Sequence, residues 1–372
     1  MANQIFFGVG CFHFWPSQLP PFILKIDSYT AELRKALESV PAITDIQIDV
    51  DEETPPVKLE VALGQLSDGE DFLPLPSFLE ISFSVYVPFR IQQELADQFT
   101  PEKTRSENFR VTILYAYEAP VSFVEPLNPT GTPDGSEAVQ VVREYLLRHI
   151  NSSGEAIRFD SLGPSPFHAD FCLSYRRGTD FVGFRAENER IRGYDKIRFV
   201  CHEISFDDLS AAKEDLFSSL KDEFGIFYQL MLARVKAIDG WLKIQAVLTK
   251  LGDAWGKRGF RQRLLNIFLK GRYINELITA IATFEVDQIF ARDSIDQGYR
   301  AIYSKDENAF IRDYVDEGLK ELSPYPTKQI SDLALFLEGR RSRAIELLVI
   351  LVAALIGGVA GALLTIMFAK SS

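Results

Sequence analysis

Near its C-terminal end the chain has an uninterrupted run of 23 residues, 347–369, that contains no charged residue and no proline. As an α-helix rising about 1.5 Å per residue, this run would be roughly 35 Å long, which is enough to cross the hydrocarbon core of a bilayer. A buried core helix is the alternative, but uncharged runs of this length are rare in soluble proteins. We therefore predict one transmembrane helix within residues 344–370.

Basic residues are concentrated on the N-terminal side of this run. Arg340, Arg341 and Arg343 precede it, whereas only Lys370 and two serines follow it. Because the cytoplasmic flank of a membrane span carries the excess of lysine and arginine, the sequence predicts a single-pass membrane protein whose body faces the cytoplasm. A bacterial inner membrane is the favoured location, and a eukaryotic tail-anchored protein is the alternative.

Small residues recur every four positions along the predicted span, at Ala353, Gly357 and Gly361. Such a stripe lets two helix backbones approach closely, so it favours a homo-oligomer that packs through the membrane helices. Glycine and alanine are also generally frequent in membrane spans. In that case the stripe faces lipid, and any assembly depends on residues 206–340.

The first 205 residues show the alternation of apolar and polar residues that is typical of half-buried strands. A buried strand is predicted within the apolar N-terminal stretch 1–15. Further predicted strands lie at 45–50, 57–63, 79–87, 109–117, 167–176, 180–186 and 196–204, and the predicted helices at about 29–40, 90–99 and 136–150. Their order predicts an α+β domain over residues 1–205, compatible with a ferredoxin-like split βαβ core that carries extra strands. The later strands either extend the same sheet or form a second lobe.

From residue 206 the pattern becomes helical and continues to the predicted span. Apolar residues recur at intervals of three and four, and in the second part of the first helix they include Val235, Ile238 and Leu242. This periodicity predicts an all-α stalk or bundle over residues 206–343. The proline-containing segment 323–326 breaks the chain before the last helix.

Composition restricts the classes of function. With 52 acidic and 40 basic residues, the chain has a formal net charge of −12, which argues against nucleic acid as the main partner because phosphate binding needs a basic surface. Three cysteines in 372 residues do not form a disulfide framework and fit a reducing compartment. The sequence contains no P-loop, dinucleotide-binding, G-x-S-x-G or kinase motif.

Each cysteine has a histidine close to it in the sequence. The groups are Cys11 with His13, Cys172 with His168 and Asp170, and Cys201 with His202 and Glu203. Thiolate, imidazole and carboxylate ligands together suit Zn²⁺, but no pair has a C-x-x-C or H-E-x-x-H spacing. In the other interpretation the cysteines are small buried side chains. We predict no cofactor, with zinc as the alternative.

A basic and aromatic segment gives a second set of candidate residues. Its basic members are Lys257, Arg258, Arg261, Arg263, Lys270 and Arg272. On a membrane-anchored protein, such a segment could lie on the anionic inner leaflet, with the basic side chains on lipid headgroups. The alternative is an ordinary helix with one solvated basic face and one core face.

The predicted order of domain, stalk and anchor favours a non-enzymatic, membrane-tethered sensor, effector or adaptor that acts as an oligomer. Its α+β domain would bind a small ligand or a protein partner, and its anchor would contact membrane lipid. One alternative is a membrane-attached, metal-dependent enzyme that uses the Cys/His groups. Another is a static membrane scaffold.

Overall fold

Two compact units make up the fold in the computed structural model. The structure describes residues 4–16, 26–50, 79–95, 103–116, 119–152, 156–162, 169–176, 183–191, 194–202, 205–256, 260–304, 309–320 and 325–370. The first unit comprises Met1–Leu232 with Ile295–Glu321, and the second comprises Ala233–Ser294 with Leu322–Ser372. The division therefore falls inside a helix, and the domain boundary between residues 205 and 206 stays a prediction.

Within the described residues the first unit contains ten strands. They are β1 (Gln4–Gly10), β2 (Phe12–Pro16), β3 (Ile43–Val50), β4 (Leu79–Tyr86), β5 (Asn108–Ala116), β6 (Ala119–Leu127), β7 (Ile157–Ser161), β8 (Ala169–Arg176), β9 (Phe184–Ile191) and β10 (Tyr194–His202). Eight form one mixed sheet in the order β3-β4-β5-β6-β1-β8-β10-β9, and β2 pairs with β7. In the large sheet β8 and β10 are parallel, and the other neighbours are antiparallel.

Seven helices lie within the described residues. They are α1 (Ile26–Ser39), α2 (Phe89–Leu95), α3 (Gly135–Ile150), α4 (Leu209–Gly256), α5 (Phe260–Tyr303), α6 (Arg312–Lys320) and α7 (Thr327–Lys370). The sheet with its helices confirms the predicted α+β class, and α4 to α7 confirm the C-terminal helical region.

The strand order differs from a split βαβ core. Such a core follows the order βαββαβ and interleaves its two βαβ units, but here β4, β5 and β6 form a consecutive antiparallel meander that separates β3 from β1. The sequence-based strand list lacks β6, because its first eight residues are all buried and show no alternation. The strand predicted at 57–63 lies outside the described residues.

The large sheet is covered on both faces. On one face α1 and α3 pack on the meander, and the core there includes Leu33, Phe83 and Phe109. On the other face, phenylalanines from β6, β1, β8 and β10 form a row under the first half of α4. They are Phe123, Phe7, Phe171 and Phe199, in contact with Phe217 and Phe224 of α4. These aromatic contacts explain why the start of α4 belongs to the first unit.

The N-terminus of α3 lies directly against β1. Both facing positions are glycines, Gly8 on β1 and Gly135 on α3, and a Cβ atom on either would clash with backbone atoms of the other element. The close approach is possible because neither residue has a side chain. It places the first turn of α3 beside the sheet, next to β8.

The second unit contains the second half of α4, most of α5 and α7. Its core includes Ala237 and Ile244 of α4, Leu277 and Ile281 of α5 and Ala334 of α7. The sequence pattern correctly predicts a helix through Val235, Ile238 and Leu242, but these three side chains are exposed. They form a second apolar stripe on α4, away from the core.

The helix α7 includes both the last part of the predicted stalk, which ends at residue 343, and the apolar run. Gly339, Ala353 and Gly357 on this helix are exposed, whereas the side-chain position of Gly361 lies outside the described residues, as do those of 358–370 in general. Among the residues that the structure describes, no helix is both long and apolar enough to cross a membrane.

Candidate functional site

Among the residues that the structure describes, the predicted zinc ligands do not lie together. Cys172 on β8 pairs with Arg198, and Cys201 on β10 pairs with Tyr175. Because successive side chains of a strand point to opposite faces, this register places the two cysteines on opposite faces of the sheet. Cys11 follows β1 and is buried.

The two described histidines among the predicted ligands lie on different strands, β2 and β10. His13 is buried on β2, and its ring stacks on Trp15 with 4.8 Å between the ring centroids. His202 ends β10, while His168 and Glu203 lie outside the described residues. In the described part of the chain, no group of three or more His, Cys, Asp or Glu side chains could hold a metal ion.

Burial favours the protonated form of all three cysteine thiols. Burial raises the pKa of Cys11 well above its ordinary value, raises that of Cys172, and raises that of Cys201 to about 11. Zinc binds the thiolate, so these surroundings favour the interpretation of the cysteines as buried small side chains. The zinc site stays a prediction without support from the described residues.

The predicted lipid-facing residues are described only in part. Lys257 and Arg258 lie outside the described residues, as do the side chains of Arg261 and Arg263. On α5, Lys270 is partly buried and Arg272 is exposed. The segment's contact with lipid stays a prediction.

The arginines that flank the apolar run differ in their surroundings. Arg341 binds Glu338 through two nitrogen atoms, at 2.6 and 2.9 Å, and its guanidinium group covers Gly271 of α5. The guanidinium carbon of Arg340 lies 5.8 Å from the ring centre of Phe336, and Arg343 is exposed. Arg341 therefore also helps to join α7 to α5.

A cleft in the first unit offers a better candidate site. It has a volume of about 330 Å³ and lies beside the N-terminus of α3. Its lining residues are Lys103, Arg105, Thr132, Pro133, Asp134, Asp170 and Lys196. They come from the segment before β5, the loop before α3, and the strands β8 and β10, so the cleft exists only in the folded unit.

Backbone hydrogen bonds fix two walls of the cleft to each other. The Asp134 N–H donates to the Lys103 carbonyl at 2.9 Å, and the Thr130 N–H donates to the Arg105 carbonyl at 2.8 Å. Arg105 has a φ of 54°, a left-handed conformation that costs a residue with a side chain on the order of 1 kcal/mol. These bonds hold Arg105 in that conformation at the edge of the cleft.

Two carboxyl groups lie at the first turn of α3. Asp134 is its N-cap and accepts a hydrogen bond from the Glu137 N–H at 3.2 Å. It also accepts one from the Ser136 hydroxyl at 2.8 Å. Asp170, on β8, accepts a hydrogen bond from the Ser136 N–H at 2.9 Å. The positive end of the helix dipole stabilises negative charge at this position.

Asp170 titrates near neutral pH. Burial, followed by the neighbouring Asp134 carboxyl group, raises the pKa of Asp170 to about 7, while the Ser136 N–H and the Lys196 ammonium group act in the opposite direction. Asp170 and Lys196 are direct neighbours across the β8–β10 ladder. The carboxyl group can therefore gain or lose a proton in the physiological range.

Three basic side chains surround this carboxyl pair. Lys103 makes an ion pair with Glu137 at 3.5 Å, and Arg105 and Lys196 are exposed at the opening. With Asp170 protonated, the lining carries three positive charges against the single negative charge of Asp134. Arginine and lysine bind phosphate, sulfate and carboxylate groups through charge-assisted hydrogen bonds, so the cleft fits a small anion.

Asp170 is the one residue of this cleft that also belongs to the sequence-predicted site residues, where it is a candidate zinc ligand. The basic residues at positions 103, 105 and 196 are too far apart in the sequence to form a motif. One signal was present: the turn-rich segment 128–135 before a capped helix marks a helix N-terminus. A helix N-terminus of this kind can bind an anion only when the fold also brings basic side chains from other segments next to it.

Comparisons with known proteins do not assign a family. No protein-family model matches this chain. Neither the curated proteins nor the solved structures contain a significant match to it.

Proposed function

We propose that this protein is a membrane-tethered, non-enzymatic sensor or adaptor whose α+β unit binds a small anionic ligand in the cleft at the N-terminus of α3. The observation that carries the proposal is the convergence of Lys103, Arg105 and Lys196 around the Asp134–Asp170 pair. A phosphate-, sulfate- or carboxylate-bearing molecule has the charge that this lining can bind.

The tether is inferred from the sequence. The uncharged run 347–369 and the preceding arginines have the composition of a membrane span with its cytoplasmic flank. The same helix, α7, includes that run and residues that pack in the core of the second unit, such as Ala334 and Leu337. Because one helix contains both the apolar run and part of the core of the second unit, a membrane span in this run would hold the folded protein at the membrane. This supports a tethered, cytoplasmic protein over one that diffuses freely.

Sulfate binding tests the cleft, because sulfate keeps its charge across the neutral pH range. We expect the full chain in detergent to bind sulfate, and Lys196→Ala to weaken the binding about tenfold, the loss expected for one charge-assisted hydrogen bond. Isothermal titration calorimetry at constant ionic strength measures the affinity. Arg90→Ala is the matched control, because Arg90 lies on α2 with an exposed side chain; equal affinities for all three proteins would contradict the proposal.

The affinity for sulfate should depend on pH. Protonation of Asp170 removes a negative charge from the cleft, so an anion binds the protonated form more tightly, and by linkage its binding raises the pKa of Asp170 further. Because that pKa is about 7, we expect tighter sulfate binding at pH 6 than at pH 8. Asp170→Asn is neutral at both values and should bind with the same affinity at pH 6 and pH 8. A pH profile that this substitution leaves unchanged would assign the titration to another group.

A further inference from the structure

The second half of α4 has two apolar stripes on different sides of the helix. The core stripe includes Ala237, Ile244 and Leu251. The other stripe consists of Val235, Ile238 and Leu242, which are 43%, 52% and 54% exposed. At 3.6 residues per turn the two stripes are separated by about 140° around the helix axis, so the second stripe cannot face the core of its own unit.

The helix α5 repeats this arrangement. Its core stripe includes Ile274, Leu277, Ile281 and Phe284. Its outer stripe consists of Ile278, Val286, Ile289 and Phe290, which are 37%, 41%, 66% and 65% exposed. At 3.6 residues per turn, the outer stripe of α5 is rotated by about 130° around the helix axis from its core stripe. This rotation has the same sense along the chain as the rotation on α4.

The two outer stripes lie side by side. Gly240 of α4 packs against the ring of Phe284, and Lys250 makes an ion pair with Glu276 at 3.8 Å, so α4 and α5 run antiparallel. On both helices the outer stripe is reached by a similar rotation from the core stripe, and the two core stripes belong to one core. Because the helices are antiparallel, the two outer stripes therefore lie on the same side of the helix pair. The same contacts place Val235 level with Phe290, and Ile238 level with Val286. The stripes therefore form one apolar patch across α4 and α5, which we call the α4–α5 face.

We propose that the α4–α5 face binds the same face of a second copy of this chain, with α4 of each copy lying on α5 of the other. An exposed patch that spans two helices is unusual for a monomer and typical of an interaction surface. Charge selects the pairing. Residues 234–243 of α4 contain three basic residues and one acidic residue, whereas residues 278–293 of α5 contain three acidic residues and one basic residue.

Symmetry distinguishes two ways of stacking these faces. A two-fold axis along the helices places α4 on the partner's α5, and an axis across the helices places α4 on α4 and α5 on α5. The first arrangement places the basic segment of α4 against the acidic segment of the partner's α5, whereas the second arrangement places segments of like charge against each other. Only the first directs the C-terminal ends of both α7 helices the same way, as two chains tethered to one membrane require; this last argument rests on the proposed tether.

Disulfide crosslinking between two differently tagged full-length chains tests the pairing. One chain carries Ile238→Cys and the other carries Val286→Cys, and the two are co-expressed and oxidised in membranes. These positions are level on facing helices, so we expect the mixed disulfide to form at least fivefold more than the disulfide between two Ile238→Cys chains. Phe336→Cys, on the exposed side of α7, is the control and should give background crosslinking with either partner.

A second variant tests the apolar contact itself. Ile238→Glu combined with Val286→Glu should shift the full chain in mild detergent from dimer to monomer by light scattering, while sulfate binding in the first unit stays unchanged. Preferential crosslinking between two Ile238→Cys chains would overturn the proposed pairing. A wild-type chain that is monomeric and gives only background crosslinks would overturn self-association through this face, leaving lipid or a different protein as its occupant.

Discussion

Gly135→Ala is expected to lower the free energy of unfolding by at least about 3 kcal/mol, the upper range for overpacking at a close contact. The added Cβ atom would meet the carbonyl group of Phe7 and the backbone nitrogen of Gly8. The first turn of α3 must then move away from β1, and buried residues along the helix such as Val139 and Leu146 lose packing contacts. Thermal denaturation followed by circular dichroism should show a decrease of roughly 6–12 °C for a unit of this size.

The control for this substitution lies four residues away. A Cβ atom at Gly131 would meet nothing within 4 Å, so Gly131→Ala should change the free energy of unfolding by no more than about 0.5 kcal/mol. Gly135→Ala should also weaken sulfate binding, because the Ser136 N–H moves away from Asp170. Equal melting temperatures for both variants would show that α3 does not approach β1 as closely as these contacts require.

Like Gly135→Ala, Glu223→Ala is expected to lower the free energy of unfolding by at least about 3 kcal/mol, because it leaves several buried donors without an acceptor. The buried Glu223 carboxylate of α4 accepts hydrogen bonds from the Tyr303 hydroxyl at 3.0 Å, the Phe310 N–H at 2.9 Å and the Ile311 N–H at 3.0 Å. The Ile311 carbonyl in turn accepts the first hydrogen bonds of α6. One side chain therefore fixes the end of α5 and the start of α6 to α4.

Two variants on α4 separate this role from a general effect of charge. Glu223→Gln keeps an accepting oxygen atom and should lose less stability than Glu223→Ala. Glu214→Ala removes an exposed carboxylate from the same helix and should stay within about 0.5 kcal/mol of the wild type. Urea denaturation at constant pH measures all three, and identical midpoints for Glu223→Ala and the wild type would contradict the structural role of this carboxylate.

Local sequence patterns are enough to predict most of the helices and strands, but they are not enough to predict β6. The strand β5 is identified by its β-branched and aromatic residues, and α3 by its amphipathic pattern after a turn-rich segment. In contrast, β6 contains Pro120, Pro126 and a buried Glu125, all unusual in a central strand. Glu125 is accommodated because Lys213 of α4 binds it at 2.9 Å. That partner is 88 residues away in the sequence, so no local pattern could indicate the pairing.

The cleft and the α4–α5 face could not be predicted for a related reason. Periodicity shows that Val235, Ile238 and Leu242 lie on one side of a helix, but it does not show whether that side faces the core. The structure assigns the core to a different stripe of the same helix. Likewise, Asp170 becomes part of the proposed anion-binding cleft only through Arg105 and Lys196, which the fold brings to it from other segments.

The position of β1 in the sheet has a consequence for synthesis of the chain. The strand β1 lies between β6 and β8 in the finished sheet, and both follow it in the sequence, so it has no partner until about 110 further residues have been made. At roughly 5–20 residues per second, this delay lasts on the order of 10 s. During that time the apolar residues Phe7 and Val9 are exposed, and such segments pair readily with other chains. Nascent chains of this protein should therefore depend on chaperones that bind β1 before β6 and β8 are made.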